Sequence, residues 1–556
     1  MPGSPCTSTP SRSFTFSSSL NLIIRGERAE ELFKSSSRTT LLFNNGYARS
    51  SAMRGPLVVG VDVGTGGCKT VAYDLDGNPV ASAYREYQVL HPRIGWAEQN
   101  PEDWWRAAAE TLREVASKVG PENIEAVGLT SQREAFAPLG REGELLANAI
   151  IWLDSRAGKQ EAWVRERVGA ARVLEVTGLP VDQMFSAVKL LWFKEEVPSI
   201  FERINKILFA KDYVSYKLTG AIFTDYSMAS RTMLLDVRKL EWSQELCEEL
   251  GIPLDILPPL KGSWEVVGEV TGEASSVTGL KKGTVVVAGG GDRPCEALGA
   301  LALDEGEVNA GTGTGTCFEA PLSQPRPDPK GRVDTCVHVV PGKWEYEIVV
   351  NATGESLRWF RDNLGHWEVE TARKSGVSPY DVLIEEASEI PPGSEGVMYF
   401  PYLWGAKAPF FNPRAKGAFV GITHAHTRAH LIRAILEGVA FHYRGVLGLL
   451  AELGVAVKRL SLTGGEARSE VWNKIKASVA GMPLHVPKVL DAASLGAAIL
   501  AAVGAKQYGD VRTAAENMVR FERVIDPDPR LAEAYEKLYE KYCAVYRRLE
   551  GAFELM

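Results

Sequence analysis

Val285-Val286-Val287-Ala288-Gly289-Gly290-Gly291-Asp292 is an apolar run that ends in three glycines and a carboxylate. A strand of this composition delivers its Asp to an open end, with room for a ligand where side chains are missing. Phosphorylating an alcohol asks for such a group: one base beside the hydroxyl, with positioning and charge neutralisation supplying most of the rest. The competing use of Asp292 is to cap a helix starting near Arg293, and one carboxylate can serve both.

A second segment, Gly60 to Thr70, reads GVDVGTGGCKT. Its Lys-Thr ending suggests a P-loop, but that motif needs Gly directly before the Lys, where Cys68 stands, and must run into a helix rather than a strand. What remains is a hairpin turn whose backbone N–H groups can hold phosphate. Asp62 at the strand end can hold hydrated Mg2+, and Lys69 can face the phosphates. Gly311-Thr312-Gly313-Thr314-Gly315-Thr316 repeats this logic later in the chain, so the two turns can grip one nucleotide from both sides. In Ser131-Gln132-Arg133-Glu134, adjacent Arg and Glu offer donors and acceptors to the neighbouring hydroxyls of a polyol; the bland alternative is a surface ion pair. Trp152 can add an aromatic wall, or be core. His424, His426 and His430 fit no zinc spacing, and Thr427 reads as the cap of the helix that follows.

The elements that must position these residues follow from periodicity and punctuation. Leu57 to Val63 reads as a buried strand, Lys69 to Leu75 as its hairpin partner, and Asp76-Gly77-Asn78-Pro79 as a turn into a third strand. Asn100-Pro101-Glu102-Asp103 opens a helix with an Asn cap, a first-turn Pro and acids at the positive dipole end. Ile124 to Thr130 is a strand that joins the sheet. The second half repeats the theme: Glu307 to Ala310, a Gly/Thr turn, strand candidates at Thr335 to Val340 and Tyr346 to Ala352, helices near Ser356 to Asn363 and Arg428 to Leu453, and a strand Arg459 to Thr463. A charged helix, Leu531 to Leu549, ends the chain. Two halves with the same opening suggest duplicated domains facing each other across a cleft, divided near residues 300 to 308.

Composition sets the outer limits. A chain of 556 residues with 24% charged and 45% hydrophobic residues is an ordinary globular protein, with a length prior of roughly two to four domains. Its net charge of −8 supplies no basic field for nucleic acid. Seven scattered cysteines without a C-x-x-C pair argue against a disulfide framework or zinc site and for a reducing compartment. The longest apolar run, around Leu495 to Ala505, reads as a buried helix rather than a membrane span. Residues 1–54 differ in kind, with twelve Ser, six Arg and one Lys against three acids. They read as an unstructured extension or, alternatively, as an organelle transit peptide. The expected location is cytoplasmic, or an organelle on the second reading.

With these residues in view, the chain resembles the FGGY carbohydrate kinases, which phosphorylate sugars and polyols with MgATP. The resemblance covers essentially residues 57 to 550. Two long stretches carry it: Met184-Phe185-Ser186-Ala187-Val188-Lys189-Leu190-Leu191-Trp192-Phe193-Lys194-Glu195-Glu196, and Gly417 through Glu437, GAFVGITHAHTRAHLIRAILE. It implies an α/β fold of two ribonuclease H-like domains of the actin and hexokinase type, 55–304 binding the sugar and carrying the catalytic Asp, 305–556 binding ATP. It further implies Asp292 as the base, Asp62 acting with Mg2+, Thr65 and Lys69 lining the phosphate site, and Gly313 and Thr314 forming the second phosphate turn. Gly354, Arg358, Gly465 and Ser469 would fall on the nucleotide face, and Arg133, Glu134 and Trp152 beside the substrate. Where members usually read Gly-Gly-Gly-Ala, this chain has Gly464-Gly465-Glu466-Ala467, which places a carboxylate near the nucleotide.

The acceptor is where the resemblance divides. Gly289 to Asp292, Phe400-Pro401-Tyr402-Leu403-Trp404-Gly405 and Asp491 to Ala498 look like xylulose kinases. Ser131 to Glu134 and Ala229-Ser230-Arg231-Thr232-Met233 look like glycerol kinases. The expected activity is therefore ATP-dependent phosphorylation of a small sugar or polyol, a pentulose such as D-xylulose first and glycerol, ribulose or another polyol next. An actin-like ATPase and a non-enzymatic sugar sensor are rivals from other classes. The expected partner is a small sugar or polyol, with no nucleic acid and no membrane, and a homodimer is left open.

Overall fold

The computed structural model describes residues 55–556; both readings of the leading extension fall outside the described residues. β1 (Leu57–Val63), β2 (Gly67–Tyr73) and β3 (Pro79–Glu86) form an antiparallel meander. α1 (Pro101–Val119) then crosses one face, starting where Asn100 accepts the Glu102 N–H at 3.1 Å and burying Trp104, Ala108, Leu112 and Val115 against the sheet. β4 (Ile124–Ser131) returns parallel to β1. β5 (Val266–Glu269) and β6 (Val285–Val287) complete the spatial order β5-β6-β4-β1-β2-β3, and β7 (Gly290–Gly291) continues β6 along β4. The meander, helix and parallel return match the sequence reading. α4 (Asp292–Gly299) follows directly; α2 (Ser186–Glu196) and α3 (Ala210–Thr219) lie in the long stretch between β4 and β5.

The second half builds a sheet of the same plan. β8 (Glu307–Thr312), β9 (Thr316–Leu322), β10 (Asp334–Val337) and β11 (Trp344–Val350) are antiparallel neighbours. After α5 (Thr353–Asn363) and the long α6 (Arg428–Glu452), β12 (Arg459–Gly464) pairs parallel with β8. α7 (Glu470–Ala480), β13 (Leu484–Pro487), α8 (Ala492–Gly504), β14 (Phe521–Ile525) and α9 (Pro529–Phe553) finish the chain, giving the order β10-β11-β9-β8-β12-β13-β14. Sequence reading does not isolate β9, because Glu319 and Pro321 interrupt its apolar run. The strand is buried throughout, and Pro321 lies past the last pairing with β8, Asn309 with Glu319, so no ladder on that side needs its missing N–H.

The halves are not packed independently. α8 comes from the end of the chain yet lies on the first sheet: its Leu495, Ala498 and Ile499 share a core with Val58, Ala126 and Val287. Contact is at backbone distance. A Cβ at Gly60 would sit 1.9 Å from the Ser494 carbonyl oxygen, and one at Gly496 would sit 2.0 Å from that of Cys295 in α4. Helices α4 and α8 therefore cross where the two halves meet, with small residues at the crossing.

Two sequence readings bear on α6. Thr427 forms a capping box with His430, whose ring accepts the Thr427 N–H at 3.1 Å, and His426 accepts that of Thr423. These histidines serve turn geometry, and no cluster of three or more metal-ligating side chains occurs among the described residues. α6 is also, among those residues, the one helix long and apolar enough to cross a membrane; 78% of its apolar window is buried inside the protein. The six described cysteines are all free thiols.

Candidate active site

Asp292 stands where β7 ends and α4 begins. The glycines before it are dictated by crowding. Gly289 has φ +69°, and a Cβ there would lie 1.8 Å from the Leu129 carbonyl oxygen; at Gly291 it would lie 2.5 Å from Arg133 Cδ. Side chains below the segment fix its backbone. Lys211 Nζ, at the start of α3, donates to the Ala288 carbonyl at 3.0 Å and is ion-paired with Asp212 (2.5 Å) and Asp225 (3.0 Å). Ser227 Oγ accepts the Gly291 N–H at 2.9 Å. The helix begins at Asp292 itself, with Gly291 as its cap, and Asp292 Oδ1 accepts the Arg293 N–H at 2.9 Å. That oxygen also lies 3.0 Å from Arg133 Nε. The capping-type contact and the exposed carboxylate thus coexist.

Arg133 and Glu134 are both buried, which rules out the surface ion pair, and they do not pair with each other. Arg133 forms a two-pronged ion pair with Glu347 of β11, in the second sheet. Glu134 accepts from Arg231 Nε at 2.7 Å, and Arg231 Nη1 reaches Asp334 of β10 at 2.6 Å and Glu347 at 3.6 Å. Against the burial that would raise it, Arg133 and Arg231 hold the Glu347 carboxyl down to about 2. Glu134 has φ +65°, and its carbonyl is held by Ser186 Oγ at 3.1 Å and Lys189 Nζ at 3.3 Å. The 184–196 stretch is thereby a brace for this loop, and burial pulls the Lys189 ammonium down to about 8.

The turn between β1 and β2 lies beside this carboxylate group. Thr65 Oγ1 accepts from Trp152 Nε1 at 2.9 Å and donates to Gln132 Oε1 at 3.2 Å, while Gln99 Nε2 holds the Thr65 carbonyl at 2.6 Å. Trp152 is 39% exposed and so is not core. Asp62 faces Lys69 across the hairpin, its Oδ1 is buried without a hydrogen-bond partner, and its carboxyl is raised to about 7 by burial and by the negative charges of Asp292, Asp491 and Glu296, against Lys69. Lys69 Nζ is taken by Asp491 at 2.5 Å, the residue that caps α8, which places an ion pair at the mouth of the turn.

The second turn, between β8 and β9, leaves Gly313 and Thr314 exposed. Gly354 packs directly on it: a Cβ there would sit 2.3 Å from the Gly313 carbonyl oxygen, and the Thr314 carbonyl accepts the Glu355 N–H at 3.1 Å. Gly465 faces open space. Glu466 N–H donates to Thr312 Oγ1 at 3.2 Å, and its Oε2 forms a buried ion pair with Lys476, while its Oε1 would lie 3.2 Å from a Cβ at Gly354. The carboxylate expected near the nucleotide is therefore neutralised from within the domain. Arg358 pairs with Glu355 one turn along α5, and Ser469 Oγ accepts the Trp472 N–H as the cap of α7. Glu296 joins the two regions, since Thr463 Oγ1 donates to its carboxylate at 2.8 Å.

The sequence reading did not single out Glu347, Lys211 or Asp225, and named Gln132 and Arg231 only within the stretches Ser131 to Glu134 and Ala229 to Met233. In Trp344-Glu345-Tyr346-Glu347 aromatic and acidic residues alternate, and both acids are buried.

Two α/β sheets of one plan, each headed by a strand–turn–strand, with a carboxylate between them, define a two-domain kinase of the actin and hexokinase fold class. The chain belongs to the FGGY family of carbohydrate kinases, whose N-terminal domain matches residues 57–299 and C-terminal domain residues 308–505. It is a phosphotransferase acting on a sugar-type small molecule with ATP as donor. It is 31% identical over 491 residues to a xylulose kinase of Bacillus subtilis, covering 88% of this chain and 96% of that one. A gluconokinase of the same organism is 30% identical over 500 residues, covering 89% and 96%. The ligand-bound xylulose kinase structure from Lactobacillus acidophilus superposes with a TM-score of 0.81 at 27% identity, covering 90% of this chain and 99% of that one.

Proposed function

We propose that the protein transfers the γ-phosphoryl group of ATP to a hydroxyl of a pentulose, with D-xylulose the first candidate acceptor. The observation that carries this reading is Asp292. The Arg293 N–H that it accepts and the Arg133 Nε with which it is ion-paired both lie against Oδ1, leaving Oδ2 with lone pairs to accept the hydroxyl proton as the oxygen attacks. Arg133 and Glu134 lie beside it and fix the remaining hydroxyls, and Trp152 closes one side. A glycerol-type acceptor is the second reading, favoured by the same Arg133–Glu134 pair.

Thr65, Lys69, Gly313 and Thr314 line the phosphates, and Gly354, Arg358, Gly465 and Ser469 flank the nucleotide. Asp62 fits Mg2+: it is one carboxylate with an unpartnered oxygen, and Mg2+ bound with ATP takes one or two protein carboxylates and fills its shell with phosphate oxygens and water. When bound, the ion would neutralise developing phosphate charge. Lys69 must leave Asp491 or share it to reach a phosphate. Free thiols fit a reducing, cytoplasmic location.

ADP release by residues 55–556 with MgATP, across D-xylulose, L- and D-ribulose, glycerol, erythritol and no acceptor, tests the reading. Strong acceptor-dependent release with one ketose supports it. Release indifferent to every acceptor would transfer the weight to an ATPase. Relatives named for xylulose and for gluconate are similar to the chain at 31% and 30% identity, the first named for an uncharged sugar and the second for an anion.

A further inference from the structure

The base is surrounded by cations that are already spent. Arg133 donates from each terminal nitrogen to Glu347, and its Nε lies 3.0 Å from Asp292 Oδ1; the second N–H of each terminal nitrogen remains for a hydroxyl, but the charge is paired. Arg231 is divided among Glu134, Asp334 and Glu347. Arg293, the next residue after the base, is paired with Glu296 at 2.7 Å. Four carboxylates (Asp292, Glu134, Asp334 and Glu347) thus face the two guanidiniums of Arg133 and Arg231. A bare Arg beside a kinase base would be a two-pronged receptor for a substrate carboxylate; here that fork is filled from the second sheet.

From this geometry we infer that Glu347 is a specificity-determining residue, which occupies the Arg133 fork and restricts the acceptor to uncharged polyhydroxyl compounds, excluding aldonates. The inference rests on reading Arg133, Glu134 and Asp292 as the acceptor site. An aldonate carboxylate at this position would meet no unpaired cation of the group and would lie in the field of Asp292, Glu134 and Glu347, and like charges brought together in an enclosed site are strongly disfavoured. Glu347 stands on β11 while Arg133 follows β4, so the exclusion depends on the two domains being docked.

The test compares D-xylulose, glycerol and D-gluconate as acceptors for the wild type, Glu347→Gln and Glu347→Asp, reading KM and kcat separately, with D-gluconate binding followed by calorimetry and each melting temperature recorded. The wild type is expected to prefer an uncharged acceptor over D-gluconate by at least about 100-fold in kcat/KM. Glu347→Gln, which keeps the side-chain shape and frees the fork, is expected to shift that ratio toward D-gluconate by about tenfold or more, through KM, and to gain measurable D-gluconate binding. Glu347→Asp keeps the charge and should keep the wild-type preference. Wild-type turnover of D-gluconate comparable with the uncharged acceptors overturns the inference while leaving the kinase site intact, and so does a Glu347→Gln effect equal on all acceptors. If Glu347→Gln does not fold, the wild-type ratio and the Glu347→Asp ratio decide. Failure of the site reading looks different: no acceptor raises ADP release and Asp292→Asn changes nothing, in which case the inference falls with it.

Discussion

Arg133 Nε lies 3.0 Å from Asp292 Oδ1 while the same guanidinium grips Glu347 with its other two nitrogens. One side chain therefore joins the candidate base, the loop after β4 and the sheet of the opposite domain. Buried charges held this way are costly to disturb, because removing one partner leaves the others unpaired in a poor solvent for charge. The network fixes the position of Asp292, and phosphoryl transfer depends mainly on positioning.

Asp292→Asn should lower kcat by about 10²–10⁴-fold if the carboxylate takes the proton. Its melting temperature should stay near that of the wild type, because Asn can still accept the Arg293 N–H and Arg133 keeps its two-pronged pair with Glu347. Steady-state ADP release beside a thermal melt checks both; near-normal turnover in a folded variant would end the assignment.

Asp62 gives a pH-dependent prediction. Its carboxyl is raised from 3.8 to about 7, by burial first and neighbouring acids second. Between about pH 4 and 7 the folded protein keeps a proton that the unfolded chain has released, so this group's contribution to stability falls as pH rises through that window. Asp62→Asn removes the effect. The variant should match the wild type at pH 4 and exceed it at pH 8 by up to about 4 kcal/mol, at about 1.4 kcal/mol per unit. Urea denaturation of the nucleotide-free protein at the two pH values is the measurement, and a gap of equal size at both would refute it.

The crossing of α4 and α8 should tolerate no side chain. Gly496→Ala forces a methyl to 2.0 Å from the Cys295 carbonyl oxygen and should cost about 1–3 kcal/mol. Gly448→Ala, on α6 with nothing within 4 Å of the added atom, should instead stabilise by about 0.5–1 kcal/mol. Denaturant midpoints of the pair separate crowding from helix propensity.

Lys476 is wholly buried against Glu466. Lys476→Met leaves that carboxylate buried and alone, and should destabilise by about 3–5 kcal/mol. Adding Glu466→Gln should recover most of the loss. A double variant no better than the single one would mean that the pair is not the cause.

Much of the architecture is legible in the chain because local rules set it. The Asn100 and Thr427 caps and the strand–turn–strand opening of the first half depend on neighbours within a few residues, where periodicity and capping chemistry act. Asp62 and Asp292 stand out in the sequence as carboxylates at or near the ends of apolar runs. Strand β9 escaped because Pro321 and Glu319 disguise a segment that burial on both faces sustains.

The partners were not legible. Nothing near Arg133 in the sequence points to Glu347, 214 residues away, nor near Lys69 to Asp491, nor does an apolar helix at 492–504 announce that it will lie on the first sheet. Charges choose partners by distance and desolvation, which exist only after the two sheets have docked, so the residue types and turns were written locally while the wiring of the site was decided by the tertiary fold.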